Sequence, residues 1–506
     1  MTLRVFTALA LLAPSLALAA PKKVRAPVVP AAPAAPAAPV TPPPDPEAWR
    51  ATPPGPGAAR AWSAPRPETF TLSNGIPVVF VRNEGLPLVE VQLLLAAGRE
   101  SNPAGRPGLA SLTASLLVEG TTTRTGAEIA ATASGLGATL SSGSGEELSW
   151  VSLSALTRNL GPSLDLMADS VLRPRFAKED VQRVRKQVLA SIQASRAQPR
   201  TVARLTFARE LFGANHPYGL PSAGTTESVG GLLPRHAKGF HRAWWHAGNA
   251  TFVVAGNVPR DTLQSALEAR FGGWRRGRTA RQEVVVPAAP TGPRVVFVEQ
   301  PGAVQSVLRI GTLGPSRPDP AWMPANVAGT LVAGMFSSRV NMNLREEHGW
   351  SYGAFGGFSE NRDIGTFAVG AEVQADQTAP AVREVLKELS AAAGRAPTPE
   401  ELDRTRDYLL KSLPGNFETN GGAVGSYQAM PQFGFGADVW DRYTAETTAV
   451  DAAAAQAAAA RWFDPARLVI VVVGPRTVEV DDGTGGKRAV DVIGELKALG
   501  MPFAEG

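Results

Sequence analysis

The chain has 506 residues, 44% of them apolar, which is more than one hydrophobic core usually serves and predicts two or three packed domains. Its 50 Lys and Arg against 45 Asp and Glu leave a net charge of +5 that is not gathered into basic blocks, so nucleic acid is not an expected partner. There is no cysteine, which excludes disulfides, thiol catalysis and a lipid-modified cysteine anchor.

The first residues, MTLRVFTALALLAPSLALAA, carry Arg4, an apolar run from Val5 to Leu18 and an A-x-A ending at Ala19. This is the pattern of a secretory signal peptide (1–19), with no transmembrane segment left in the mature chain, because the run falls short of the roughly 20 apolar residues a spanning helix needs. Residues 20–66 are rich in Pro and Ala and predict an extended linker. Beyond it, FTLSNGIPVVFVRN predicts two strands about an Asn74-Gly75 turn, and LPLVEVQLLLAAG a third. GLASLTASLLVEGT, starting at Gly108, reads as a short amphipathic helix with Ser111 and Ser115 four apart on one face. KEDVQRVRKQVLASIQASRAQP places Val181, Val184, Val188 and Ile192 at helical spacing and predicts a helix that stops at Pro199.

The chain then repeats itself. VVFVRN at Val78 recurs as VVFVEQ at Val295, 217 residues on, and ATFVVAG, ending at Gly256, is echoed by VIVVVG, ending at Gly474. Two echoes at nearly one offset predict a duplicated α+β unit: a first repeat at 67–275, a connection at 276–292 and a second repeat at 293–506. In the second, FSSRVNMNLREEHGWSYGAF concentrates Arg, His, Trp and Tyr beside glycines, the pattern of a surface that touches something. The five histidines, 216, 236, 241, 246 and 348, include no i, i+4 pair, so structural roles are expected for them. No G-x-S-x-G elbow surrounds Ser111 or Ser115, and GTGGKR at 483–488 lacks the spacing of a phosphate loop and predicts a polar turn.

With LSNGIPVVFVRN, HPYGLPSAGTTESV, FHRAWWHAGNATFVVAGNV and FSSRVNMNLREEHGWSYGAF in this order, residues 68–500 resemble the pitrilysin/insulinase family of zinc peptidases, in its bacterial two-domain branch. The resemblance implies two homologous α+β repeats forming half of a clamshell. It also implies an inverted zinc motif, H-x-x-E-H, on the helix after the third strand and a glutamate ligand on a later helix. Laid on this sequence, the two histidine positions are Ser111 and Ser115, the general-base position is Ala114 and the third ligand position is Ser191. Serine hydroxyls are poor zinc ligands, so this chain is expected to hold no metal. The family's transition-state pair, an arginine and a tyrosine seven apart, is kept as Arg345 and Tyr352 in LREEHGWSY. The family's peptide-binding edge strand falls on LGATLSSGSG, where Ser141 and Ser142 stand.

Two readings follow from the resemblance. One is a periplasmic, zinc-free subunit of a heterodimeric peptidase, lending Arg345 and Tyr352 to a zinc-bearing H-x-x-E-H partner that acts on peptides. The other is an inactive envelope scaffold or peptide-binding protein of the same fold.

Overall fold

The computed structural model describes residues 47–51, 62–277, 281, 284–288, 292–481 and 483–506. The predicted signal peptide, most of the linker at 20–66 and part of the connection at 276–292 lie outside the described residues. Before residue 62 the described piece is one 3-10 turn, Ala48–Ala51. The compact unit runs from Trp62 to Gly506.

That unit holds two six-stranded sheets with matching strand orders. The first is built from β1 (Glu68–Thr71), β2 (Pro77–Arg82), β3 (Leu88–Leu95), β4 (Thr139–Ser144), β5 (Ser149–Leu156) and β6 (Ala250–Gly256), in the order β1-β2-β6-β3-β5-β4. The second comprises β7 (Arg294–Glu299), β8 (Gln305–Gly314), β9 (Ser351–Phe358), β10 (Gly365–Gln374), β11 (Val469–Gly474) and β14 (Phe503–Glu505), in the order β14-β7-β11-β8-β10-β9. In both, the second and third strands of the order are parallel, β2 with β6 and β7 with β11, and the strands from there to the β4 or β9 edge are antiparallel. The sheets differ at the other edge. β1 pairs antiparallel with β2, whereas the place beside β7 is taken by the C-terminal β14, running parallel. A separate hairpin, β12 (Thr477–Asp481) and β13 (Lys487–Asp491), turns at the GTGGKR segment, as the polar-turn reading expects.

Eight helices belong to the first repeat: α1 (Leu109–Ser115), α2 (Gly126–Gly135), α3 (Leu160–Leu172), α4 (Lys178–Ser195), α5 (Pro199–Phe212), α6 (Thr226–Gly230), α7 (Pro234–Trp244) and α8 (Arg260–Phe271). The second carries α9 (Trp322–Gly329), α10 (Arg339–Asn341), α11 (Thr378–Gly394), α12 (Pro399–Lys411), α13 (Asn420–Tyr427), α14 (Ala429–Phe433), α15 (Val439–Ala449), α16 (Ala452–Trp462) and α17 (Val492–Lys497). Pro199 does not merely stop a helix. α4 ends at Ser195, and Pro199 opens α5 at the first helical position, where its missing N–H costs nothing.

The central strands read as unbroken apolar runs because both of their faces are covered. On β3 the alternation is clear: Val89, Val91, Leu93 and Leu95 join the first repeat's own core, and Leu94 points to the other face. That other face is covered from outside the repeat. Ala423, Val424 and Tyr427 of α13 pack on Val79, Val81, Leu94 and Val253 of the first sheet. In exchange, Ala203, Phe207 and Leu211 of α5 pack on Val307, Val469, Val471 and Val473 of the second. Each repeat therefore lends a helix to cover the other's sheet. At about 1.5–3 kcal/mol per fully buried large apolar side chain, this exchange is what fuses the two repeats into one unit.

Candidate functional site

α1 carries Ser111, Ala114 and Ser115, the positions to which the resemblance assigns a zinc motif. Gly108 opens it at φ 91°, a conformation that glycine adopts without strain, and a Cβ there would lie 2.6 Å from the carbonyl oxygen of Ala223. The loop at 221–224 is thus seated directly on the start of the helix. The Asn102 Oδ1 accepts from the N–H of Ala110 at 2.8 Å. Ser111 Oγ donates to the carbonyl of Ser222 at 2.8 Å. Ala114 is fully buried, and its carbonyl accepts from Ser142 Oγ of the edge strand β4 at 2.7 Å. Ser115 is half-buried. Ser191 is exposed on α4, which packs against α1, and it lines a cleft of about 420 Å³ together with Ser195, Arg196, Thr201, Arg204 and Ser222. Ser222 joins Ser111 to the cleft that Ser191 lines.

Zinc does not fit there. Zinc is held by thiolate, imidazole or carboxylate, and none of these lines the cleft, while two guanidiniums do. The hydroxyl of Ser111 already spends its proton on a backbone carbonyl.

The histidines are engaged elsewhere. His241 is held with Nε2 2.9 Å from the carbonyl of Val171, and burial depresses its pKa to about 4. His216 lies with Nε2 2.9 Å from the Val285 carbonyl and stacks on Phe212, and His348 stacks on Trp350 at 3.9 Å. His236 Nδ1 accepts from the N–H of Leu233, and His246 is buried.

The segment carrying Arg345 and Tyr352 is pinned from below. Arg339 makes two 2.8 Å bonds to Glu401, whose carboxyl is pulled down to about 2 chiefly by that hydrogen bonding. The buried Asn341 donates to the Phe336 carbonyl at 2.6 Å and accepts from the Ala354 N–H at 3.0 Å. Asn343 donates to Glu384 and Glu388. Between these anchors the chain turns at Gly349, φ 65°, with the Trp350 N–H donating to the Leu344 carbonyl at 2.9 Å.

Arg345 and Tyr352 project from this frame. Tyr352 is 91% exposed, so it does not pack in the core. Arg345 ion-pairs with Glu346 at 3.2 Å and lies 4.7 Å over the exposed ring of Phe336. The two share the turn, and no hydrogen bond links their side chains among the described residues. Tyr352 instead lines a cleft of about 480 Å³ with Phe355 of its own strand, Arg309 of β8, Glu372 of β10 and Arg200 of α5. Arg200 bonds Glu372, with Nη2 to Oε2 at 2.7 Å. The helix exchange thus brings a first-repeat residue into the Tyr352 cleft, where no local sequence pattern points to it.

A buried ionic cluster between the repeats is also absent from any sequence motif. The β4–β5 and β9–β10 turns meet there. Glu147 accepts from the Arg362 N–H at 2.6 Å, the Tyr218 hydroxyl at 2.8 Å and Gln432 at 2.9 Å. Arg362 Nη2 lies 2.5 Å from Glu100, and Arg281 bonds Asp363. Carboxylate oxygens of Glu100, Glu147 and Asp363 approach within 4.8 Å of one another, but the guanidiniums of Arg362 and Arg281 already supply the cation.

The sequence profile described as insulinase (peptidase family M16) matches residues 78–225, and that described as peptidase M16 inactive domain matches 235–409. This chain belongs to the insulinase family. The first match spans α1 and Ser191, and the second spans Arg345 and Tyr352. Among insulinase relatives, an uncharacterized zinc protease of Mycobacterium tuberculosis is 29% identical over 72% of this chain and 82% of its own length. A peptidase M16 inactive domain from Pseudomonas fluorescens superposes with TM-score 0.75 at 25% identity, over 81% of this chain and 98% of that one. The periplasmic protease PqqL of Escherichia coli shares the fold, with TM-score 0.68 at 15% identity, over 83% of this chain and 46% of that one. The family fixes the two-repeat architecture.

Proposed function

We propose that this protein is the zinc-free subunit of an exported, heterodimeric peptidase, supplying Arg345 and Tyr352 to peptide bound against an H-x-x-E-H partner subunit. One observation carries the reading. The α1 locus offers no zinc ligand, yet Tyr352 stands 91% exposed on a frame of buried asparagines and a bonded arginine, presented outward with no hydrogen-bond partner among the described residues. A phenol and a guanidinium aimed at a substrate carbonyl donate hydrogen bonds that strengthen as the oxygen becomes an oxyanion. Metal-assisted attack belongs to the partner; this chain orients the peptide and stabilises charge.

Export is supported by the leader pattern and by the periplasmic location named for PqqL. The reading is tested by mixing the purified chain with an H-x-x-E-H homologue from the same genome. The expected result is no peptide cleavage by this chain alone, cleavage by the mixture, and co-elution on gel filtration. A partner equally active without this chain would favour the inactive scaffold.

A further inference from the structure

The cleft beside α1 carries positive charge. Its polar side chains are hydroxyls and the guanidiniums of Arg196 and Arg204, with no carboxylate in its lining. Arg204 makes no ion pair among the described residues and lies on the exposed side of α5, one turn from Arg200. Its charge reaches Arg99 and Arg309, whose pKa values are lowered first by burial and further by Arg204, although Arg99 is itself paired with Glu146 at 2.7 Å. Arg196 donates only to the hydroxyl of Thr226, at 3.3 Å. The acid in its field is Glu227, which is not part of this cleft's lining. A concave site of about 420 Å³, walled by hydroxyls and two guanidiniums with no carboxylate in its lining, suits a planar anion held by a guanidinium fork.

We propose that this cleft binds the carboxylate terminus of a peptide, with Arg204 and Arg196 on the carboxylate and the hydroxyls of Ser191 and Thr201 beside it. That the anion is a peptide's rests on the peptidase-pair reading; that the cleft takes a carboxylate does not. A cleft that Ser191, one of the ligand positions implied by the resemblance, lines then serves in this chain to hold a peptide end.

The test uses the full mature chain without any partner, titrated calorimetrically with N-acetyl-tetra-alanine as the free acid, with its C-terminal amide, and with inorganic phosphate. The free acid binds, the amide binds at least about tenfold more weakly, and raising salt weakens the acid alone, as for a charge-assisted contact. Arg204→Gln weakens the acid by about 10–100-fold, Arg196→Gln also weakens it, and Arg204→Lys retains part of the affinity. Neither glutamine variant lowers the melting temperature, because both side chains are exposed. Equal binding of acid and amide, absence of binding by both, binding of phosphate but not peptide, or indifference to both variants would each overturn the proposal. Because turnover by a reconstituted pair is not measured, these failures leave the heterodimer reading standing.

Discussion

Replacing Glu100 by glutamine should make the protein relatively more stable as pH rises. Glu100 is 2% exposed, and its Oε2 has no hydrogen-bond partner. Arg362 lies 2.5 Å away and Arg281 3.8 Å away, yet burial outweighs both cations and lifts the carboxyl from 4.5 to about 7. A folded-state pKa raised above the unfolded value means that this group's contribution is full below about 4.5 and is lost as pH rises through about 7. The gap is worth about 3 kcal/mol, most of it spent between pH 5 and pH 8. Glutamine mimics the neutral acid at every pH. Whatever constant cost Arg362 suffers cancels when the two proteins are compared across pH, so only the slope matters. Urea unfolding at half-unit steps from pH 5 to pH 8.5 should show Glu100→Gln gaining about 2–3 kcal/mol on the native protein. Parallel stability curves would mean that Glu100 stays ionised throughout and that its arginines, not burial, decide its charge.

Phe207→Ala on the lent helix α5, where the side chain is 4% exposed against the second sheet, should cost about 3–5 kcal/mol in chemical unfolding. Metal analysis by mass spectrometry after dialysis should find no stoichiometric zinc, and one tightly held zinc per chain would overturn the account of the α1 locus. Intact mass of the exported protein should correspond to a chain beginning at Ala20, as the A-x-A pattern predicts.

The strands were legible where burial imposed composition. The runs VVFV and VIVVVG admit few states other than doubly covered central strands, and their recurrence at a near-constant offset exposed the duplication. The Asn74-Gly75 turn and the α4 periodicity were local and readable for the same reason. What the sequence did not reveal was tertiary choice. An amphipathic helix declares that it has an apolar face, not which sheet that face covers, so the exchange of α5 and α13 was invisible. The Glu100–Arg362 and Glu147–Gln432 contacts join residues 262 and 285 positions apart, and no periodicity links such pairs. At the α1 locus, the resemblance implied that zinc-ligand positions are held by serines. It did not show that Ser222 would take the Ser111 proton, or that Arg196 and Arg204 would line the vacated side. The resemblance singled out Arg345 and Tyr352, but the place of Arg200 beside Tyr352 depends on the exchange and had no signal of its own.

The most direct test is steady-state kinetics of the reconstituted pair carrying Tyr352→Phe or Arg345→Lys in this chain. Phenylalanine removes one outward donor from a side chain that packs against almost nothing, so assembly on gel filtration and the partner's zinc content should not change. The loss should fall mainly on kcat, by about 10²–10³-fold for an aligned oxyanion donor. Arg345→Lys keeps the charge but loses the planar fork and should lower kcat while leaving the complex intact. Full activity in both variants, with the complex formed, would contradict the claim that this chain supplies transition-state contacts.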